Sequence, residues 1–245
     1  MRRTVCALFV LTLVGSLAST AHADDRALCA NAADDKLDAS IAACGRLIKT
    51  GKLGAADLSV VFFTRGTRYG TDYYRGNIYG GKGDFDHAIV DYTEAIRLNP
   101  AYAEAFFTRG NQHAAKGQTE QFYIDKGEAQ RKGRMVAYFD RAVADYDQAV
   151  RLKPSDADFY SYRGLAFGMK GDFARAIADY DEAIRLDPKS SNAFEDRGRV
   201  EMKKGDIDRS IADFEESLKL DPSNFDSSGD LAQARAALAA KAQAH

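Results

Sequence analysis

The chain has 245 residues, of which 45% are hydrophobic and 29% are charged, and its formal net charge is −2. A charge this small and mixed argues against a surface for nucleic acid or for an anionic membrane. No segment after the N-terminal leader is apolar enough to cross a membrane, so a soluble exported protein is expected.

Residues 1–23 have the organisation of a secretory signal peptide. Arg2 and Arg3 form a basic start, an uncharged apolar stretch follows, and Ala21-His22-Ala23 is a small-residue cleavage motif. Cleavage is expected after Ala23, which predicts a periplasmic or secreted protein; the alternative is an uncleaved N-terminal anchor. Losing the two arginines lowers the formal net charge from −2 to −4.

Two cysteines, Cys29 and Cys44, remain after cleavage. An even pair in an oxidising compartment favours a disulfide, and two free buried thiols are the alternative. Their spacing fits no common zinc pattern and the histidines are scattered, so no metal site is predicted. Both cysteines fall in residues 24–56, where the apolar spacing is that of a short helix followed by an amphipathic one.

The most informative feature of the sequence is a phrase that recurs before each of its four prolines. The copies read DHAIVDYTEAIRLNP, DRAVADYDQAVRLKP, ARAIADYDEAIRLDP and DRSIADFEESLKLDP, and they end at Pro100, Pro154, Pro188 and Pro222. Each is an amphipathic helix that the proline terminates. The last two intervals are 34 residues and the first is 54, and such internal periodicity determines the architecture.

A preceding helix in each copy is built around an Arg-Gly pair. The assigned pairs are Arg75-Gly76, Arg109-Gly110, Arg163-Gly164 and Arg197-Gly198. In the first copy Arg65-Gly66 competes with Arg75-Gly76, because FFTRG at 62–66 returns at 106–110. The seven residues from Gly76 to Gly83 equal those from Gly110 to Gly117, so Arg75-Gly76 is assigned as the pair in register.

The presence of two Arg-Gly pairs in the first copy is interpreted as a ten-residue tandem duplication within the first helix. Ten residues are close to three turns of 3.6, so the apolar face nearly keeps its direction across the insert. The helix is expected to begin near Ala56, to run long, and to kink or break around Gly70–Thr71 because several glycines weaken it.

The second copy contains a 20-residue insertion at residues 118–137, between its two helices. The segment is highly charged and includes Phe122, Tyr123 and Ile124. It is interpreted as a solvated extension of both helices with a turn near Gly127, or as a mobile loop. The sharper alternative is a hairpin that contacts a partner.

Two helices, a tight turn and a period of 34 residues resemble the tetratricopeptide repeat (TPR) of exported bacterial proteins. In residues 155–188 the family pattern is matched by Tyr160, Gly164, Phe167, Ala176, Tyr180 and Pro188. The resemblance covers residues 57–222 and implies an all-α, right-handed α-solenoid (superhelix) of antiparallel helix pairs. About four units are expected, with a degenerate unit at 24–56 and a capping helix and tail at 223–245. The cap is expected to present a polar outer face.

Each copy also has an aspartate on its second helix at a recurring position. The expected structural ion pairs are Arg75 with Asp91, Arg109 with Asp145, Arg163 with Asp179, and Arg197 with Asp213. Their constant association indicates an intrarepeat pair with the arginine stem packed between helices. The alternative is a ladder of arginines that binds an acidic partner.

The family resemblance also implies a concave groove lined by the first helices. The lining positions carried over are Tyr73, Asn77, Phe107, Asn111, Ser161, Leu165, Glu195 and Arg199. Asn77 and Asn111 are hypothesised to bond a peptide backbone, with a routine structural amide as the alternative. The basic residues that would clamp a peptide carboxylate are missing, because Tyr73 stands where lysine would be.

No Ser/His/Asp arrangement, metal-ligand cluster or phosphate loop is apparent, so neither catalysis nor a cofactor is expected. The predicted function is a noncatalytic scaffold or adaptor of the cell envelope that binds an unidentified peptide or partner helix in the groove. No nucleic-acid partner and no membrane insertion after cleavage are expected. The rival is a self-associating structural envelope protein, against which the charged capping helix counts, and the oligomeric state stays open.

Overall fold

The computed structural model describes residues 20–30, 37–79 and 84–243, and within these ranges the regular secondary structure is helical. The helices are α1 Thr20–Ala30, α2 Leu37–Lys49, α3 Ala55–Tyr79, α4 Phe85–Leu98, α5 Ala103–Asp125, α6 Lys132–Leu152, α7 Ala157–Met169, α8 Phe173–Leu186, α9 Ser191–Lys204, α10 Ile207–Leu220 and α11 Phe225–Gln243. A 3₁₀ turn, Ala129–Arg131, leads into α6. Most of the predicted leader lies outside the described residues.

Local capping explains where the recurring second helices begin. The side chains of Asp84, Asp172 and Asp206 each accept a hydrogen bond from the backbone N–H three residues later, at the starts of α4, α8 and α10. These helices end two residues before Pro100, Pro188 and Pro222, respectively. Capping aspartate and terminating proline therefore set the repeat length.

Consecutive helices pack as pairs, α3 with α4, α5 with α6, α7 with α8 and α9 with α10, and each pair packs on the next. Buried tyrosines and phenylalanines on the second helices, such as Tyr146, Tyr180 and Phe214, fill the centre of each pair. The predicted α-solenoid is confirmed.

The N-terminal unit is the pair α1 and α2, and a disulfide joins Cys29 to Cys44 as predicted. Both cysteines are buried with Leu47 and with Val61 of α3. This cluster seats the terminal unit on the first full repeat.

The predicted break around Gly70–Thr71 is wrong: α3 continues as one helix of 25 residues from Ala55, close to the predicted start. Glycine disfavours a helix by about 1 kcal/mol relative to alanine but leaves its hydrogen bonds intact, and α3 contains no proline. Packing on α4 offsets the weak propensity.

The insertion at 118–137 extends both neighbouring helices, as the first interpretation held. Gly127, with φ 99°, makes the turn between α5 and α6. Glu120 accepts a hydrogen bond from Arg131 and lies 3.4 Å from an Nη2 of Arg134, and Ile124 packs into the core between the two helices. The extension is therefore an ordered part of the second repeat.

Helix α11 covers the end of the array, with Leu231 and Ala234 buried against Phe214. Its exposed surface is only partly polar, because Asp226, Ser228, Gln233, Arg235 and Lys241 flank an uncharged stripe. Phe225 is 87% exposed, and the exposed residues of the same stripe, Ala232 and Ala236, are apolar. The charged residues Asp226, Arg235 and Lys241 lie off that stripe, because a helix separates residues by 100°.

Candidate functional site

The glycine of the Arg-Gly pair is the point of closest approach between the two helices of a unit. A Cβ added at Gly110 would lie 2.7 Å from Cε1 of Tyr146, and one at Gly198 would lie 2.9 Å from Cε1 of Phe214. Glycine is therefore needed there because the ring of the second helix occupies the space of a side chain.

In the first unit, Arg65-Gly66 makes these contacts, which corrects the assigned register of Arg75-Gly76. Arg65 donates from Nε and Nη2 to the two carboxylate oxygens of Asp91, both at 2.7 Å. A Cβ at Gly66 would lie 3.0 Å from Cε1 of Tyr92. The side chain of Arg75 lies outside the described residues, and its predicted partner Asp91 is already bound bidentately.

The other three predicted ion pairs are brought together with one geometry. Nε and Nη2 of the arginine donate to the two carboxylate oxygens of the aspartate at 3.0 and 2.6 Å for Arg109 and Asp145, 2.9 and 2.7 Å for Arg163 and Asp179, and 2.9 and 2.6 Å for Arg197 and Asp213. Burial raises the pKa of Asp179, and the hydrogen bonds from Arg163 oppose that shift. The planar fork of arginine suits this bidentate contact.

Each arginine also reaches the preceding unit through Nη1, which the sequence interpretation missed. Arg163 donates to Asp147 at 2.8 Å, and Arg197 donates to Asp181 at 2.6 Å. In the second unit, Arg109 donates to the hydroxyl of Thr93 at 3.0 Å. The arginines therefore connect neighbouring units as well as the helices of one unit.

Two predicted groove residues on α5 are held by internal contacts. The ring centroid of Phe107 lies 4.8 Å from that of Phe159 and 5.0 Å from that of Tyr162. Oδ1 of Asn111 accepts a hydrogen bond of 2.8 Å from the Tyr146 hydroxyl. Asn111 therefore makes a structural contact through its oxygen, and its NH2 group is left for other contacts.

The corrected register moves the first-unit groove positions ten residues back. The predicted Tyr73 and Asn77 have side chains outside the described residues, and the counterparts of Phe107 and Asn111 are Phe63 and Thr67. Phe63 lies 4.7 Å from Tyr102 between ring centroids, and the Tyr92 hydroxyl lies 3.5 Å from Oγ1 of Thr67. The recurrence of FFTRG was the signal that would have found them.

On α7, the predicted Ser161 and Leu165 are half-buried, and Tyr162 beside them is 38% exposed. Tyr162 was not among the groove positions predicted from the sequence. Its ring continues the aromatic cluster of Phe107 towards solvent. Phe107 is the partly buried member of this cluster and Tyr162 is its exposed one.

The predicted Glu195 and Arg199 connect α9 to the cap. Glu195 accepts a hydrogen bond of 2.5 Å from Asn224 and lies 2.7 Å from Nη1 of Arg199. Nε of Arg199 donates to Asp230 of α11 at 2.6 Å. Beside them, burial and then the charge of Glu195 raise the pKa of Asp196 to about 6.

The described ranges contain no group of three or more His, Cys, Asp or Glu side chains arranged to hold a metal ion. Within the same ranges, no helix is both long and apolar enough to span a bilayer.

Replacing the two competing glycines by alanine is expected to have opposite effects on the free energy of unfolding. Gly66→Ala crowds the Tyr92 ring and should lower it by about 1 to 2 kcal/mol. Gly76→Ala replaces a helical glycine and should raise it by up to about 1 kcal/mol. Urea unfolding of both variants, with Gly110→Ala as the reference for a crowded position, measures this; equal losses at 66 and 76 would contradict the corrected register.

The stability of the protein is expected to fall on acidification because of His113. Burial, and then Arg109, Arg141 and Lys116, lower the pKa of His113 from 6.5 to about 4. The unfolded chain therefore binds the proton more tightly between pH 6.5 and 4, so stability is lost as the pH falls through that window.

The expected loss is about 2 kcal/mol after allowance for solvent screening. Urea unfolding of the wild-type protein and of His113→Gln at pH 7 and pH 4 measures it. The difference between the two proteins should shrink at pH 4, and a constant difference would contradict the assignment.

Comparison with known proteins places these features in a family. Sequence profiles described as "Tetratricopeptide repeat" match residues 139–191 and 195–244, and one described as "TPR repeat" matches residues 76–117. Together they cover more than half of the chain. Among curated proteins, none matches.

Several solved structures share the fold. MamA from Desulfovibrio magneticus RS-1 (residues 41 to the end) aligns with a TM-score of 0.64 and 15% identity, covering 84% of this chain and 98% of that one. A crystal structure of MamA gives 0.59 and 19%, covering 84% and 97%. The thermophilic TPR protein TTC0263 of Thermus thermophilus gives 0.58 and 16%, covering 87% and 98%. At these identities the likeness shows the fold alone.

Proposed function

Because the chain belongs to the tetratricopeptide repeat family, we propose that it is a noncatalytic scaffold or adaptor of the cell envelope. It binds an extended peptide or partner helix along its first helices, α3, α5, α7 and α9. Stacked helix pairs of this kind form concave surfaces that suit such partners. The partner is a protein or peptide rather than a nucleic acid, because the net charge is slightly negative.

The observation that carries the proposal is a series of aromatic side chains along consecutive first helices. Phe63 on α3 and Phe107 on α5 hold corresponding positions and are partly buried, and Tyr162 on α7, which stands one residue after the corresponding Ser161, contacts Phe107. Rigid aromatic side chains contribute contact area at a low cost in conformational entropy. Apolar side chains of a bound segment would pack against them.

The α7–α9 end of this surface favours cationic groups on the partner. Burial and then the neighbouring Asp156 and Asp187 raise the pKa of Asp158, and the pKa of Asp196 is raised to about 6. Burial is the larger cause of both shifts, and the neighbouring carboxylates add to it. A segment with apolar residues followed by lysine or arginine would match both parts.

The decisive experiment compares partner capture by the wild-type protein with capture by Tyr162→Ala. The wild-type protein, used as bait, should recover the partner from the periplasmic fraction. The affinity of the purified partner for Tyr162→Ala should be about tenfold lower than for the wild type. Phe122→Ala, which changes an exposed aromatic residue at the tip of the insertion, is the matched control. Equal affinities of the partner for the wild type and for Tyr162→Ala would contradict binding in the proposed groove.

The proposed envelope location rests on the leader and is supported by the disulfide, since disulfides persist in oxidising compartments. N-terminal sequencing of the protein from fractionated cells tests it. The expected sequence begins at Asp24, and a chain that keeps residues 1–23 would favour the anchor instead.

A further inference from the structure

We propose that the groove along α7 and α9 binds an arginine side chain of the partner, which is held by Tyr162, Asp158 and Asp196. This inference rests on the proposed function and specifies what occupies the acidic end of the groove. Asp158 and Tyr162 are both exposed and stand four residues apart, so they lie on one face of α7. Asp196 holds the position of Tyr162 on the next first helix, 34 residues later, and α7 packs on α9.

Asp158 lacks the cation that its counterpart in the preceding unit has. Six residues before the packed glycine of each unit, Asp158 corresponds to Glu104, which forms an ion pair with Lys153. The residue that corresponds to Lys153, directly before the terminating proline, is Asp187. A carboxylate therefore stands where Glu104 has its lysine, and burial, Asp156 and then Asp187 raise the pKa of Asp158.

Asp196 lacks the hydrogen bond that its counterpart in α11 receives. That counterpart, 34 residues later, is Asp230, which accepts a hydrogen bond of 2.6 Å from Nε of Arg199. The residue that corresponds to Arg199 in the preceding unit is Leu165, whose side chain has no donor. Nη1 of Arg199 lies 3.8 Å from Asp196, which is beyond hydrogen-bonding distance, and Lys203 acts on Asp196 through its charge.

Contacts with the second helices place Tyr162 and Asp196 in one row along the groove. The ring centroid of Tyr162 lies 6.3 Å from that of Tyr146 on α6. Tyr180 and Asp196 hold the same two positions one unit later, and burial and then the charge of Asp196 raise the pKa of Tyr180. The exposed ring and the carboxylate are therefore successive members of the same row.

The chain itself shows how such groups bind a guanidinium. Cζ of Arg163 lies 5.4 Å from the centroid of the Tyr160 ring. The same guanidinium donates to both carboxylate oxygens of Asp179 on α8 and, at 2.8 Å, to Asp147 on α6. The proposed site has the same three groups, one aromatic ring and two carboxylates from different helices, without the arginine.

A guanidinium suits this site better than an ammonium group does. Its plane can stack on the Tyr162 ring while its separate N–H groups reach two carboxylates, whereas an ammonium is a compact point charge. Because Tyr162 also contacts Phe107, apolar residues of the partner would lie beside the arginine. The expected partner segment is therefore a peptide or helix that carries an arginine next to apolar side chains.

An NMR titration of the purified protein with L-argininamide tests the site without the partner. Argininamide should shift the amide signals of Tyr162 and Asp196, and L-lysinamide should bind at least about threefold more weakly. The double variant Asp158→Asn/Asp196→Asn should bind argininamide at least about fivefold more weakly, because both charges are lost at nearly constant shape. Asp208→Asn, which removes an exposed carboxylate from α10, is the control and should bind as the wild type does.

Three results would overturn the arginine site: no shifts with argininamide, equal affinities for argininamide and lysinamide, or an unchanged affinity in the double variant. The peptide groove is judged separately, by the affinity of the purified partner for Tyr162→Ala. If the partner binds Tyr162→Ala weakly but binds the double variant as tightly as the wild type, the groove stands and the arginine site is wrong.

Discussion

Asp179→Ala is expected to lower the free energy of unfolding by about 3 kcal/mol, because it leaves a partly buried guanidinium without its bidentate partner. The side chain of Arg163 is only 18% exposed, and its Nε and Nη2 both donate to Asp179. Asp147 still accepts from Nη1 in the variant, so part of the charge stays compensated. The loss should appear as a lower urea midpoint with an unchanged dependence on denaturant.

Glu182→Ala is the matched control, since it removes a carboxylate from the same helix α8. Glu182 pairs with the exposed Arg185 three residues later, and such surface pairs contribute little. The control should change stability by less than about 0.5 kcal/mol. If Asp179→Asn kept its stability while partner binding changed, the arginines would be a binding ladder and the structural interpretation would be wrong.

The sequence could predict these ion pairs because they obey the repeat. A period of 34 residues carries the same local contacts from unit to unit, so Arg163 with Asp179 and Arg197 with Asp213 follow from alignment. The bridges to the preceding unit were also present in the sequence, since Asp147 and Asp181 stand two residues after Asp145 and Asp179. Thr93 takes that position in the first unit, and this exception concealed the pattern.

The register of the first unit could not be settled from spacing alone. The expectation that an insertion of ten residues nearly keeps the direction of a helix face was wrong, because at 3.6 residues per turn ten residues fall about 80° short of three turns. Packing distinguishes Arg65-Gly66 from Arg75-Gly76, because Tyr92 lies against Gly66. The assigned register assumed that the distance from glycine to turn is constant, whereas the added residues follow the packed glycine. The same assumption selected Tyr73 and Asn77 in place of Phe63 and Thr67.

The polar cap was predicted from composition, and angular position explains why the exposed surface of α11 is only partly polar. Residues 225–243 contain aspartate, arginine and lysine, yet Asp230 bonds Arg199 and Arg235 bonds Glu215 of α10. Asp226 and Lys241 remain exposed, so charge is present near both ends of α11 while the stripe between them is uncharged.

Removal of the Cys29–Cys44 disulfide is expected to destabilise the N-terminal unit by about 3 kcal/mol, the loop-closure value for a separation of 15 residues. Helices α1 and α2 pack on each other and, among the other described helices, only on α3. Few other contacts therefore hold the N-terminal unit in place. Stability in a solenoid is a sum of units and of contacts between neighbours, so the loss should stay near this end.

Native-state hydrogen exchange of the double variant Cys29→Ala/Cys44→Ala measures that localisation. Protection of α2 amides should fall by about a hundredfold, which corresponds to roughly 3 kcal/mol, while that of α8 amides should be unchanged. Alanine at both positions avoids a buried hydroxyl, and Ser40, which donates to the Cys29 carbonyl oxygen at 2.8 Å, can keep its hydrogen bond. A uniform loss of protection from α2 to α10 would mean that the array unfolds as one cooperative unit, and the terminal unit would then be part of the folding core.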